Sequence, residues 1–233
     1  MEEIRIITID GPASSGKTTV ARMLAQKLNI PLLESGTLYR LVTYFLVNAE
    51  KPFNTYLEDK QALLQFLRKI FKETKIEITP LGTFIYWNGK LIKEELRNKE
   101  VENTVSQISA IKEVREFLTE FMRGLAEKSK LIAEGRDMGS VVFPYSDVKI
   151  FLTANEKIRA ERRFKEKAEK EKIDKEFLYK EVWDNIKFRD RLDSQRKIAP
   201  LTIPEGAYII DTSYLTPEEV MNEILKIIKN RER

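Results

Sequence analysis

Gly11-Pro12-Ala13-Ser14-Ser15-Gly16-Lys17-Thr18 decides how the rest of this chain is read. The octet satisfies the spacing G-x-x-x-x-G-K-[ST]. It stands between Ile4–Ile9, a β-branched apolar run, and a segment from Lys17 in which Val20, Met23, Leu24 and Leu28 recur at helical spacing. Strand, glycine loop and helix are the context that gives the spacing meaning. The glycines let the backbone curl so that successive N–H groups face one anion, and the helix N-terminus adds the positive end of its dipole. A glycine turn that merely starts a helix is the plainer alternative, and motif and context together set it aside. The loop is read as a nucleoside triphosphate site formed by Gly11, Pro12, Ala13, Ser14, Ser15, Gly16, Lys17, Thr18 and Thr19. Lys17 would span the β- and γ-phosphates. Thr18 Oγ would ligate Mg²⁺, a hard ion that prefers oxygen.

Composition narrows what such a site can do. Among 233 residues there is no cysteine and no histidine, which removes thiolate nucleophiles, imidazole bases and zinc or haem sites built on those ligands. Chemistry must run on Lys, Arg, Asp, Glu, hydroxyls, backbone amides and an oxygen-liking metal. The chain is 42% hydrophobic and 33% charged, as a globular protein with a real core is. Net charge is +4 from 41 basic and 37 acidic residues. That excess is small and interspersed, and a local anionic ligand explains it as well as nucleic acid does. Met1-Glu2-Glu3 puts acids where a leader would carry bases, and no apolar run approaches the roughly 20 residues of a membrane span. A cytoplasmic protein is expected, and the Lys/Glu/Ile-rich, cysteine-free composition is of the thermophile kind.

Working outward from the loop, Ile30–Leu33 reads as a second strand, and Ser35-Gly36 opens a helix through about Ala49. Gln61–Lys72 is helical. Lys75–Ile92 then alternates as strands do around Pro80-Leu81-Gly82 and Asn88-Gly89 turns, which predicts a small antiparallel meander inserted in the core. Val101–Lys128 reads as helix, Leu131–Ala133, Val148–Leu152 and Ala207–Ile210 as core strands, and Asn155–Phe188 as long charged helix. Thr216-Pro217-Glu218-Glu219 is a helix start with cap, N1 proline and capping-box glutamate. Short strands alternating with helices predict an α/β fold, a parallel sheet covered by helices on both faces. Phe84, Tyr86 and Trp87 are read as packing of the small sheet.

Neither the guanine-reading Asn/Thr-Lys-x-Asp nor a hydrophobic run ending Asp-Glu occurs, which sets GTPases and AAA or helicase machines aside. Five stretches point elsewhere: Glu34-Ser35-Gly36-Thr37-Leu38-Tyr39-Arg40, Ser106 through Arg115, Glu134-Gly135-Arg136-Asp137-Met138-Gly139-Ser140, Arg159-Ala160-Glu161-Arg162-Arg163, and Arg189-Asp190-Arg191-Leu192-Asp193-Ser194-Gln195-Arg196. In these, collinearly from Ile4 to the last helix, the chain resembles the bacterial cytidylate kinases. The resemblance implies transfer of the ATP γ-phosphoryl group to CMP or dCMP. It also implies a P-loop kinase core over 1–233, with a nucleotide-monophosphate-binding insertion at about 40–110 and a helical lid at about 156–172.

Residue by residue, the resemblance implies cytosine contacts from Ser106, Arg115 and Asp137, and ribose contacts from Arg189 and Asp193 with Ser35 near by. Arg40, Arg136 and Arg196 would grip the acceptor phosphate beside Tyr39, and Arg159, Arg162 and Arg163 would reach ATP from the lid. Lys17, Arg136, Arg163 and Arg196 are the expected catalytic groups. A hydroxyl, a guanidinium and a carboxylate match the edge of cytosine, where N4 donates and N3 and O2 accept. Independently of any family, Arg189, Asp193 and Arg196 stand at i, i+4, i+7 and share one helix face. A solvated surface ion pair is the plainer reading of that trio alone. Glu34 stands where the family usually has Asp and is left out of the site. Asp10 is a candidate either for Mg²⁺ at second remove or for hydrogen bonding to the loop. The expected partners are ATP and CMP or dCMP acting on a monomer, with no nucleic acid and no membrane. Kinases of UMP, AMP or shikimate, and an ATP-binding protein that engages RNA, are the rivals.

Overall fold

The computed structural model describes residues 4–51, 53–127, 129–168 and 175–231. In chain order, β1 (Ile6–Asp10), α1 (Lys17–Leu28), β2 (Leu32–Glu34) and α2 (Ser35–Val47) lead into an inserted segment. That segment holds α3 (Phe53–Glu58), α4 (Lys60–Glu73), β3 (Thr74–Thr79), β4 (Gly82–Trp87), β5 (Lys90–Leu91) and α5 (Lys99–Ile108). The chain then forms α6 (Lys112–Ala126), β6 (Leu131–Gly135), a π-turn at Met138–Val142, β7 (Val148–Thr153), α7 (Glu156–Ala168), α8 (Lys175–Gln195), β8 (Tyr208–Asp211) and α9 (Pro217–Arg231).

β1 is the middle strand of a five-stranded parallel sheet ordered β2-β6-β1-β7-β8 among the described residues. All five of its residues are buried, as a strand flanked on both sides and covered on both faces must be. Its alternation divides two cores. Ile6 joins Leu33, Leu131 and Ala133 under α2, α4, α5 and α6, whereas Ile7 and Ile9 join Leu32, Ile132 and Ile150 under α1 and α9. The expected strand–loop–helix opening and the two-face cover are both present. Ile30-Pro31 precede β2, because Pro31 cannot donate to a ladder.

The meander also forms: β3 pairs β4 and β4 pairs β5 antiparallel, with turns at Pro80-Leu81 and Asn88-Gly89. Trp87 meets Phe45 edge-on at 5.2 Å between centroids, so its ring packs the insertion against α2. Insertion residues Leu63, Leu67 and Ile85 belong to the same buried cluster as Leu38 and Leu41 of α2, so the insertion rests on the core through continuous apolar packing.

Two expected helices differ. The predicted run 101–128 is interrupted at Ser109–Ile111, where the Ser109 hydroxyl donates back to Ser106 O at 2.9 Å and Ile111 is extended. The break frees the Ser109 carbonyl, which Arg115 Nη1 reaches at 2.9 Å. Lys128 lies outside the described residues. The charged run 155–188 forms α7 and part of α8, packed through Ala160, Leu178, Val182 and Ile186. The expected lid at 156–172 falls on α7, and its residues 169–172 lie outside the described residues. At the last helix the capping box forms as read: Glu219 N donates to Thr216 Oγ1 at 3.2 Å, and Thr216 N donates to Glu219 Oε2 at 2.8 Å. Among the described residues no helix is long and apolar enough to cross a membrane.

Candidate active site

The carboxyl ends of β1, β6 and β2 lie side by side, with Asp10 opposite Gly135 and Glu34 opposite Glu134. Because the sheet order turns away from β1 in both directions, loops leaving this edge diverge and open a crevice. The phosphate loop follows β1 into it. Gly11 sits at φ +149°, and a Cβ there would stand 2.0 Å from the Leu152 carbonyl oxygen, so no other residue fits. Gly16 caps α1 at φ +91°.

Lys17 is buried, and its Nζ donates to Pro12 O at 2.7 Å. Burial, with Arg136 adding repulsion, pushes its ammonium down to about 7. Thr18 Oγ1 donates to Glu134 Oε1 at 3.1 Å. The two carboxylate oxygens of Asp10 accept from Met138 N at 2.8 Å and Gly139 N at 2.7 Å. These contacts of Asp10 tie the end of β1 to the turn after β6, a partner other than the phosphate loop that the sequence reading offered. Burial raises Asp10 to about 7 in spite of those donors.

Across the crevice, Arg115 of α6 and Asp137 form a direct ion pair. The Arg115 guanidinium also lies 5.3 Å from the centre of the Tyr39 ring. Tyr39 Oη is buried with no hydrogen-bond partner. Arg136 Nε donates to Asp193 Oδ2 at 3.0 Å, and Arg196 lies 3.5 Å from both Asp137 and Asp193. The shared face read from Arg189, Asp193 and Arg196 is therefore turned into the crevice. Arg189 Nη2 donates to Glu102 O at 2.6 Å. Ser35 Oγ donates to Glu134 O at 2.8 Å, tying the start of α2 to the end of β6.

These groups line one cavity of about 600 Å³. From the phosphate loop it takes Ala13 through Thr19, and from the opposite side Ser35, Tyr39, Arg40, Ser106, Arg115, Arg136, Asp137, Arg163, Arg189, Asp193 and Arg196. The two walls are thus brought together. Gly11 and Pro12, the first two residues of the loop, do not line the cavity. Arg159 and Arg162 do not line the cavity: Arg159 Nη1 donates to Ala13 O at 3.1 Å and to Asp190 Oδ2 at 2.5 Å, and Arg162 Nη1 donates to Thr212 Oγ1 at 3.0 Å.

The electrostatics are those of an anion site. Burial, with Arg189 and Arg97 crowding it, pushes Arg40 down to about 10. Burial and Arg115 likewise lower Arg196, and burial lowers Arg189. Arg136, Arg115 and Arg163 go the other way: burial pulls each down, but Asp193 and Glu134 beside Arg136, Asp137 beside Arg115, and Glu102 beside Arg163 outweigh that and hold them above their ordinary value. Cations that depress one another gain most from a polyanion placed among them.

Sequence reasoning passed over Glu134, Glu102, Arg97 and Arg22, all of which line the cavity. Glu134 lay inside a quoted motif, directly after the run Leu131–Ala133 read as a core strand, and that place was the available signal. The other three carry no local signal. Glu34 joins different parts. Its Oε1 is 2.7 Å from Arg22 Nη2, its Oε2 accepts from Thr83 N at 3.1 Å, and it binds the small sheet to the core.

A phosphate loop at the carboxyl edge of this parallel sheet, facing a second cationic wall, defines the chain as a P-loop kinase. Residues 7–230 match the family model described as cytidylate kinase. The chain is 42% identical to a cytidylate kinase of Fervidobacterium nodosum, covering 97% of this chain and 96% of that protein. It is 43% identical to one of Carboxydothermus hydrogenoformans, covering 95% and 96%. Among solved structures, an uncharacterized protein from Eubacterium ventriosum shares the fold, with a TM-score of 0.50 at 15% identity over 97% of this chain and 99% of that one. The chain belongs to the cytidylate kinase family.

Proposed function

We propose that the protein transfers the γ-phosphoryl group of ATP to CMP or dCMP through the cavity between the phosphate loop and the Arg115–Asp137 wall. The observation that carries this reading is the meeting of both walls in one cavity, so that a donor held at Lys17 faces an acceptor held at Arg40, Arg136 and Arg196.

An oxygen of the acceptor phosphate attacks the γ-phosphorus, the bond to the β,γ-bridging oxygen breaks, and ADP leaves with that electron pair. The attacking oxygen is already anionic at neutral pH, so a site without histidine suffices. What remains is in-line positioning and neutralisation of charge on the migrating group. Lys17 bridges the donor phosphates, Arg136, Arg163 and Arg196 neutralise the migrating group, and Arg40 and Tyr39 hold the acceptor phosphate. Ser106, Arg115 and Asp137 read cytosine, and Arg189, Asp193 and Ser35 hold the ribose. Arg159 and Arg162 serve ATP through the loop they support. Arg159 holds Ala13 O, and Arg162 holds Thr212, whose hydroxyl donates to Ser15 O at 3.0 Å.

The chemistry of the donors fits Mg²⁺. The Thr18 hydroxyl and the Glu134 carboxylate are hard oxygens at the phosphate loop. Among the described residues no group of three or more acids could hold a metal alone, which suits an ion that keeps waters and substrate phosphates as ligands. Bound there, Mg²⁺ would offset charge on the β- and γ-phosphates. We place the activity in the cytoplasm, on a monomer; Arg40, Arg115, Arg136, Arg163, Arg189 and Arg196 lining one cavity support small nucleotides and not nucleic acid as what it takes.

The test is ADP release from Mg-ATP with CMP, dCMP, UMP and AMP offered separately. Turnover with CMP and dCMP alone supports the reading, and preference for UMP or AMP removes the roles given to Ser106, Arg115 and Asp137.

A further inference from the structure

Glu102 is an acid of this cleft to which the reaction gives no task. It stands on α5 of the insertion, two turns from the break that serves Arg115. Its carboxylate Oε1 accepts from Arg163 Nη2 at 2.7 Å, across to α7. Its own carbonyl accepts from Arg189 of α8. Three other carboxylates of the cavity wall are committed elsewhere: Asp137 to Arg115 and Arg196, Asp193 to Arg136 and Arg196, Glu134 to Thr18. Glu166 holds Arg163 from its own helix at 3.1 Å. Glu102 alone among these joins the insertion to the helix expected to serve as lid. Burial pushes its carboxyl up, but Arg163 and Arg189 outweigh this and keep it below the usual carboxylate range, so it stays ionised at neutral pH.

A carboxylate and a phosphate oxygen use the same guanidinium edge, and one guanidinium cannot give its full fork to both. Both terminal nitrogens of Arg163 are engaged, Nη1 by the exposed Glu166 and Nη2 by Glu102, so its Nη2 edge reaches a triphosphate only by loosening from Glu102. On the reading of the site given above, we infer that Glu102 is a positioning residue, an internal anion that aims Arg163 at the cleft and competes with the donor phosphates for it. Its charge thereby sets donor affinity. Glu102→Gln keeps the shape and one acceptor but removes the competing charge. The expected gain is on the order of tenfold, the size of one partly desolvated charge contact.

The experiment compares the wild type, Glu102→Gln, Glu102→Asp and Arg163→Gln, with the Glu102→Gln/Arg163→Gln pair completing a double-mutant cycle. The readouts are calorimetric binding of inorganic tripolyphosphate and steady-state kinetics with ATP and CMP. Glu102→Gln is expected to bind tripolyphosphate about tenfold tighter and to lower the KM for ATP in parallel, with kcat within about twofold of wild type. Glu102→Asp returns both toward wild type, and in the Arg163→Gln background the Glu102 change has no effect. Unchanged or weaker tripolyphosphate binding, a loss confined to kcat, or an equal gain without Arg163 overturns the inference. Wild-type turnover is measured first. Its absence would count against the kinase reading, whereas tripolyphosphate binding tests Glu102 either way.

Discussion

Arg115 and Asp137 pair directly with side chains only 2% and 3% exposed, joining α6 of one wall to the end of β6. Their burial makes the pair a structural tie, and mutation separates that role from the reading of the acceptor base proposed for it. Arg115→Met leaves Asp137 with Arg196, at 3.5 Å, as its remaining cation. The variant should lose about 3–5 kcal/mol of unfolding free energy in urea. Adding Asp137→Asn should recover part of that loss while CMP turnover stays low. Recovery of both together would show that the pair is structural only.

Among the described residues, Lys17 and Lys167 are the lysines that line the cavity. Lys17→Ala should lower kcat by about three orders of magnitude and leave the far-ultraviolet circular dichroism and the cooperative melt in place. Most of the activity surviving would remove Lys17 from the mechanism.

Asp10 makes stability depend on pH in a fixed direction. Its folded pKa, about 7, lies above the ordinary 3.8. The unfolded chain therefore releases this proton first, and the group's contribution is complete below about pH 4 and is lost as pH rises towards 7. The effect is on the order of 4 kcal/mol at most. Urea midpoints at steps between pH 4.5 and 7.5 should fall more steeply in the wild type than in Asp10→Asn. Parallel slopes would contradict the burial argument.

Glu34 reaches both Arg22 and the Thr83 amide, which the shorter Asp cannot do from the same backbone. Glu34→Asp should cost about 1 kcal/mol in unfolding free energy, the worth of one buried hydrogen bond. Amide exchange should quicken in β3 and β4 ahead of β1. Uniform exchange across both sheets would show that the small sheet is held by apolar packing alone.

Much of this could be read from spacing. The octet at Gly11–Thr18 with its flanking periodicities placed the site at the end of β1, because a buried strand, a curled loop and a helix start are all encoded within a few residues of one another. The turn at Asn88-Gly89, the capping box at Thr216–Glu219 and the shared face of Arg189, Asp193 and Arg196 are local in the same sense. The division of 101–128 was missed because one serine hydroxyl bonding back to its own helix has no periodic signature.

Contacts made across the fold were not legible in that way. Glu102 meets Arg163 at 61 residues' separation, Thr18 meets Glu134 at 116, and Arg159 meets Ala13 at 146. Nothing in the sequence distinguishes Arg159 and Arg162, which brace the phosphate loop, from Arg163, which enters the cavity. All three stand in one charged helix, and only the packing of α7 against α8 and the loop decides which way each points. Composition and spacing determined the chemistry available and the edge of the sheet where it would occur. Tertiary packing decided which charges face one another there, because a side chain's partner depends on where distant elements come to rest.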